Sequence, residues 1–412
     1  MKRLKVMFIF SLIFSLTAFA EQNIELLSLD EAIRIALENN PNIMASDASV
    51  DIMRARLQDS KSILYPQVEF RFIIPFIERE SGIFADQLIW DFWRTPNIIK
   101  SSKAQVESSI FDKEATKEDV ILDTKVSYYM VLAHRRILLA AEKTLHEQEK
   151  RLEQTEGFFK AGRASRLEVT KARVNLGNAK LDLITAKNNL ENAQMRLINA
   201  MGIDEAAFNY QLVDMLEYKL VDLNLDDAIN KALDRRPELK GLRAKEAGMK
   251  ASLSASKQSL YFPEILGRVA YRFDGKGATG PDFIAGVGLR FPVFEGFADL
   301  SRVNEDRAKL KQARANIESL KNQITSEVKQ LYLNLKTAEE ALEVTRISET
   351  SAQENLELTE EEYRLGKSSA VDLAEAEALL ASTNANHIEA IYNYKIAIAQ
   401  LERATGEKIA EE

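Results

Sequence analysis

The sequence predicts a mainly α-helical chain that carries four membrane β-strands and completes its barrel only with other copies of itself. Three observations predict this: an internal duplication, long runs of helical periodicity, and four stretches of two-residue alternation. Residues 162–202 recur as residues 366–406 without a gap, from Gly162 and Gly366 to Gly202 and Gly406. In the first copy Ala172, Leu176, Ala179, Leu183, Ala186, Leu190, Ala193, Leu197 and Ala200 follow alternating steps of four and three, which is a coiled-coil seam. The second copy keeps Ala376, Leu380, Ala390, Ala397, Leu401 and Ala404, and places Thr383, His387 and Tyr394 at other seam positions. Alanine along one row lets helix backbones approach closely.

The elements follow in order. Lys2, Arg3 and Lys5 precede an apolar run from Val6 to Leu16, and Ala18, Phe19 and Ala20 supply a small-x-small cleavage pattern, so residues 1–20 read as a secretory signal peptide. The first repeat, residues 21–203, opens with a helix from about Leu29 to Asn39 that stops at Pro41. Helices from about Asn42 to Leu64, Asn97 to Phe158 and Leu167 to Met201 follow. Residues 204–224 are an inter-repeat linker. The second repeat, residues 225–412, begins with Leu225, Asp226, Ala228, Ile229, Ala232, Leu233 and Pro237, which match in order Leu29, Asp30, Ala32, Ile33, Ala36, Leu37 and Pro41. A period this long marks a duplicated supersecondary unit rather than a short-repeat solenoid. In each repeat a long helix of roughly 90 Å, at ~1.5 Å per residue, matches two shorter ones laid end to end. The second long helix runs from about Phe297 to Glu362, opposite Leu239 to Phe262 and Val371 to Thr405.

Between short and long helices the period changes to two, in hairpins at about residues 67–92 and 264–294. Val68, Phe70, Phe72, Ile74 and Phe76 alternate with Glu69, Arg71, Ile73 and Pro75, and a charged turn through Glu78, Arg79 and Glu80 leads into Phe84, Asp86, Leu88 and Trp90. In the second hairpin Ile265, Gly267, Val269, Tyr271 and Phe273 form one face, and the return strand alternates Phe283, Ala285, Val287, Leu289 and Phe291 with Gly286, Gly288 and Arg290. One face is apolar and the other polar or glycine, the pattern of a strand between lipid and a wet lumen. Trp90, Trp93, Phe291 and Phe294 gather at the helix-proximal strand ends, where aromatic rings suit a membrane interface. They also suit the cap of a soluble core. Four strands are too few to close a barrel, and open edges do not exist in lipid. The barrel is therefore expected to be shared, a homotrimer giving twelve strands.

Composition bounds the function. The formal charge of −8 becomes more negative once the basic leader is removed, which argues against nucleic acid. Cysteine is absent, so disulfides, thiolate metal sites and a lipid-modified cysteine are excluded. No run in the mature chain approaches the ~18 to 20 apolar residues of a spanning helix. No phosphate loop, catalytic dyad or cofactor motif appears, so neither an enzyme nor a cofactor is expected. His134 and His146 read as solvated helix residues. His387 stands where the first copy has Leu183 and reads as a polar register residue. Glu360, Glu361 and Glu362 read as a wetted helix surface.

The leader, the opening LSLDEAIRIALENNPNI, Pro66 and Pro263 before the strands, the tips FFKAGRASRLEV and EYRLGKSSAVDL, and the terminal glycines of both repeats together resemble the TolC-type outer-membrane efflux family over nearly the whole mature chain. The resemblance implies a homotrimeric channel in the outer membrane of a diderm bacterium, with a twelve-stranded barrel continuing into a periplasmic α-helical tube. It implies a periplasmic adaptor and an inner-membrane pump as partners, in tripartite efflux or type I secretion, and outer-membrane lipid around the barrel. It assigns adaptor docking to Gly162, Arg163, Ala164, Ser165, Gly366, Lys367, Ser368 and Ser369, which are helix-breaking turns in any case. It places Asp372 and Glu375 around the closed periplasmic aperture, with Tyr363 tying the helices shut. A basic residue of the family's tether is replaced by Ser368 here. Acidic residues at a helix start also favour the helix dipole. The rival reading is a secreted or periplasmic coiled-coil structural or adaptor protein, which calls for a compact β-domain instead of hairpins set between long helices.

Overall fold

The computed structural model describes residues 25–72, 81–204, 210–214, 219–273 and 282–409. The leader, Ile74, Phe76, the turn at Glu78–Glu80 and the glycine loop through Gly275, Gly277 and Gly280 lie outside the described residues.

Helix start and stop signals set the boundaries. In the first half α1 (Leu29–Asn39) is capped by Ser28, whose Oγ accepts from Glu31 N at 3.2 Å, and α2 (Pro41–Ser62) starts on Pro41 with Asn40 as its cap. α3 (Arg94–Lys160) follows the first β-hairpin and α4 (Arg166–Met201) returns from its tip. The second half repeats them as α5 (Leu225–Arg235), α6 (Pro237–Tyr261), α7 (Ala298–Arg364) and α8 (Ala370–Thr405). α3 and α7 have 67 residues each, and α4 and α8 have 36 each. At ~1.5 Å per residue the long helices reach about 100 Å. α3 packs along α2 and then α4, and α7 along α6 and then α8; α3 also lies against α6 and α8, which joins the halves.

The alanine row is the inner one. Ala172, Ala179, Ala186 and Ala193 are buried, whereas Leu176, Leu183 and Leu190 are half-buried. α4 and α8 both end on a left-handed glycine, Gly202 (φ 69°) and Gly406 (φ 67°). At Gly202 a Cβ would lie 2.7 Å from Asn39 O, because the helix end abuts the α1–α2 junction. There Asn40 donates to Ala200 O at 2.8 Å.

Four strands form one antiparallel sheet in the order β2-β3-β5-β6, from β2 (Gln67–Arg71), β3 (Gly82–Trp90), β5 (Glu264–Arg272) and β6 (Asp282–Arg290). The pairs Val68↔Ala85, Ala85↔Val269 and Val269↔Ala285 place the apolar sets of both hairpins on one face. One expectation needs correction. Two-residue alternation puts Trp90 in phase with Phe84, Asp86 and Leu88, but a register shift between Leu88 and Trp90 pairs Trp90 with Ile265. The irregularity turns Trp90 onto the apolar face, as an extra residue in one strand does.

A second sheet falls partly in the stretch expected to be mere linker. β1 (Glu25–Leu27) pairs in parallel with β4 (Tyr210–Leu212). Tyr128 of α3, almost fully buried, holds this pair: its hydroxyl lies 2.9 Å from Leu27 O and 2.7 Å from Val213 O. Asp214 accepts from Arg136 at 2.6 Å and from Tyr392 of α8 at 2.8 Å. Burial, reinforced by the Asp214 carboxylate, pushes the Tyr392 hydroxyl far above its ordinary pKa. Tyr394 fixes the rest, donating to Lys219 O at 3.0 Å and accepting from Val221 N at 3.1 Å. This belt crosses the helices at the junctions of the stacked short ones, and a hydrophobic core lies beneath it in each half.

Candidate functional site

The four-stranded sheet stands at one end of the long helices and the tips at the other. Its apolar face is exposed: Val68, Phe70, Val287 and Leu289 each leave most of their surface uncovered. The opposite face is charged. There Arg268 binds Asp86 at 2.6 Å, Arg71 binds Glu69 at 2.8 Å, and Arg290 binds Glu264 at 2.9 Å. Among the described residues, β2 and β6 each have a strand neighbour on one side only. A soluble domain would cover that apolar face and pair or blunt those edges.

Where strands meet helices, Trp90, Trp93, Phe291 and Phe294 are all exposed. Trp90 and Trp93 meet edge to face at 5.7 Å, and Phe294 and Phe297 do so at 5.4 Å. Phe92 stacks on Phe262 at 5.0 Å. Phe92 (φ 51°), Trp93 (φ 72°) and Phe297 (φ 67°) are left-handed, a conformation costing a non-glycine residue about 1–2 kcal/mol. Both long helices therefore start from an unfavourable backbone held by aromatic packing, a feature that sequence alone did not signal.

At the far end the two tips have one geometry. Gly162 (φ 72°) and Gly366 (φ 69°) reverse the chain, with Arg163 N donating to Phe158 O and Lys367 N to Glu362 O, both at 2.8 Å. Ser165 and Ser369 cap the returning helices. Arg163 and Lys367 are exposed, Ala164 and Ser368 half-buried. A Cβ added at either glycine would meet nothing within 4 Å. Phe158, Phe159, Leu167 and Leu365 stand exposed beside the turns, an apolar fringe around a basic surface.

The residues expected at the aperture separate into different roles. Asp372 is turned back into a capping box: it accepts from Ser369 N at 2.8 Å and from Ser369 Oγ at 2.7 Å. Those bonds, the backbone one first, hold its carboxyl below the usual aspartate range. Glu168 does the same for Ser165, so the duplicated Ser-x-x-acid spacing is a helix-start signal in both copies. Glu375, one turn on, is exposed. Tyr363 is half-buried under the Arg151 guanidinium, which lies 5.9 Å from its ring centre.

Arg151 supplies what the sequence did not locate. From α3 it pairs with Glu377 of α8, which also accepts from Gln148 at 2.9 Å. Arg151, Gln148, Glu377 and Tyr363 thus tie the first hairpin to the second near the tips. No sequence spacing could announce a contact between residues this far apart in the chain. His387 sits in the α7–α8 seam, 3.2 Å from Thr345 Oγ1. Among the described residues no group of His, Asp and Glu could hold a metal ion, and no helix is long and apolar enough to cross a membrane.

Comparison with known proteins gives the same picture from three directions. The family model described as outer membrane efflux protein matches residues 77–203 and 228–407, most of the chain. Outer membrane efflux protein BepC of Brucella suis is 22% identical over 93% of this chain and 86% of its own. Outer membrane protein TolC of Vibrio cholerae is 22% identical over 92% of this chain and 90% of its own. Among solved structures, the Campylobacter jejuni CmeC outer membrane channel superposes with a TM-score of 0.81 at 18% identity, covering 93% of this chain and 87% of that one. The open state of the Neisseria gonorrhoeae MtrE outer membrane channel gives 0.78 at 16% identity, covering 92% and 89%. At these identities the structures establish the shared fold.

Proposed function

This chain belongs to the outer membrane efflux protein family, and from that membership we propose that three copies form an outer-membrane channel conducting substrates out of the periplasm in tripartite efflux or type I secretion. The observation that carries this reading is the four-stranded sheet with an exposed apolar face and two unpaired edges, set on helices of 67 residues. Three such sheets joined edge to edge give a twelve-stranded barrel with lipid outside and the arginine–carboxylate face within. The helices continue the passage as a tube into the periplasm, and Trp90, Trp93, Phe291 and Phe294 ring the junction at the membrane surface. The tips at Gly162–Ser165 and Gly366–Ser369 receive a periplasmic adaptor, which couples the channel to an inner-membrane pump. Their solvent-facing cations and apolar fringe support that role.

At the periplasmic aperture, threefold repetition of Asp372 and Glu375 would concentrate negative potential on the axis. The Arg151–Glu377 pair, with Gln148 and Tyr363, supports a closed state by binding α8 to α3. Transport through such a passage needs no reaction by the protein, since the work is done by the pump. The test is to extract membranes and measure the detergent-corrected mass. A trimer from the outer-membrane fraction is expected; a monomer, or protein recovered in the soluble fraction, overturns the reading.

A further inference from the structure

Arg71, Arg268, Arg272 and Arg290 stand on the charged face of the four-stranded sheet, and one of them differs from the rest. Arg268 binds Asp86 through Nε at 2.6 Å and Nη2 at 2.9 Å, Arg71 binds Glu69 at 2.8 Å, and Arg290 binds Glu264 at 2.9 Å. Arg272 makes no hydrogen bond or ion pair among the described residues, and its Nε is buried without an acceptor. A buried donor left unsatisfied carries a desolvation cost that an incoming acceptor returns.

The surroundings of Arg272 leave room for such an acceptor. Gly82 of β3 pairs with Arg71 of β2 on one side and with Arg272 of β5 on the other, in the described row farthest from the helices. A Cβ at Gly82 would collide with Tyr271 O and lie 3.0 Å from Arg272 Cα, so the close approach of β3 to β5 forbids a side chain between the two arginines. At ~4.8 Å between strands, their backbones stand roughly 10 Å apart across this gap. One level nearer the helices, on the same face, Phe84 is buried, and the Arg71 guanidinium lies over its ring at 5.0 Å from the centre. The Arg71 side chain nevertheless keeps 41% of its surface exposed. A guanidinium plane stacks on aromatic rings, and its fork matches an oxyanion through two parallel hydrogen bonds.

We propose that this row is a binding site for aromatic organic anions, with the ring on the exposed side of the Arg71 guanidinium and the anionic group above Gly82, held by Arg272. An aliphatic anion lacks the surface that Arg71 stacks on, and a ring-bearing cation is repelled by both arginines. The inference rests on the channel reading, because only a closed barrel turns this face into a lumen, and it gives that reading a class of cargo. Three copies set three such sites around the outer end of the passage, where cargo of this class makes its last contact before leaving.

The test is block of single-channel current in planar bilayers by naphthalene-1-sulfonate. Methanesulfonate, which lacks the ring, and phenyltrimethylammonium, which lacks the negative charge, serve as comparison probes. The parent, Arg272→Gln and Arg71→Lys are compared, and the mass of each is measured in detergent. Naphthalene-1-sulfonate should block the parent at the lowest concentration of the three probes. Arg272→Gln should raise its half-blocking concentration about tenfold, through loss of a charge-assisted contact. Arg71→Lys keeps the charge but removes the plane, and should weaken block by naphthalene-1-sulfonate while leaving that by methanesulfonate unchanged; a merely structural effect would move both. Equal block of the parent and Arg272→Gln trimers would mean that Asp282, the cross-strand neighbour of Arg272 on β6, already neutralises it. That result, or equally strong block of the parent by phenyltrimethylammonium, overturns the site and leaves the channel standing. A parent that is monomeric by mass and forms no channels overturns the channel reading, and the site with it.

Discussion

Arg151 on α3 is paired with Glu377 on α8, and both side chains are largely withdrawn from solvent. The pair spans the two repeats close to their tips, the region proposed above to hold the closed state. Tyr363, under the same guanidinium, brings α7 into the contact.

Replacing Glu377 with Gln removes the charge but keeps the shape, and should raise open-channel occupancy. A partly buried, charge-assisted contact weakened by about 1 kcal/mol changes a two-state ratio roughly fivefold. Single-channel recording in planar bilayers measures this. Conductance and open time equal to the parent's would mean that the pair does not hold the closed state.

Asp372 and Glu375 should make the channel cation-selective, and their different settings let them be separated. Glu375→Gln removes the freer carboxylate without touching the cap, and should shift the reversal potential in a salt gradient toward zero. In that variant the remaining preference comes from Asp372. Its pKa is lowered in the fold, so its charge and its capping contribution are present above the unfolded value and are lost only as pH falls through the lower, folded one. Selectivity that survives neutralising both residues would place it elsewhere.

Ala186→Leu or Ala193→Leu should lower the melting temperature, because the added bulk enters a row where backbones approach. Overpacking typically costs ~1 to 3 kcal/mol. Variants that melt like the parent would show the row to be loosely packed.

Gly162→Ala and Gly202→Ala make a controlled comparison, since both positions are left-handed but only Gly202 is crowded. The first should cost about 1 kcal/mol of backbone strain. The second also drives a methyl group against the α1–α2 junction, and about 3 kcal/mol is expected. Equal denaturation midpoints would mean that the junction yields freely.

Charge reversal at Arg163 or Lys367 should abolish efflux and adaptor crosslinking while trimer yield stays normal. Exposed turn substitutions usually lie within ~0.5 kcal/mol of neutral. Undiminished crosslinking in both variants would move docking off the tips.

Much of this was legible in the chain because it is written locally. Helix ends followed Pro41, Pro237 and the terminal glycines, and strand positions followed alternation, so boundaries fell within a few residues of those observed. The alanine row was legible for the same reason, since steps of three and four fix a helical face. What was missed depends on residues distant in sequence. The β1–β4 pair is too short to signal itself, and the residues anchoring it, Tyr128, Arg136 and Tyr392, look like ordinary helix positions. Tyr394 stands out only as a departure from Leu190 in the other repeat, and its anchoring role explains that departure. The Trp90 register shift defeats counting by twos. Asp372 illustrates the opposite case, because its Ser-x-x-Asp spacing was visible and the capping role it encodes is what the fold displays.

The parallel pairing of β1 with β4 has a consequence for how the molecule is made. β1 precedes all the helices in sequence, yet its partner follows the whole of α3 and α4. Contacts of such separation form slowly, because the intervening chain must be ordered or looped before they reward closure. Until then Leu27 lacks the strand that buries it, and Tyr128 lacks the Val213 carbonyl. Closure of β1 onto β4 is therefore expected late in the folding of the first repeat, and a chain interrupted before residue 210 would leave β1 without the strand it pairs with.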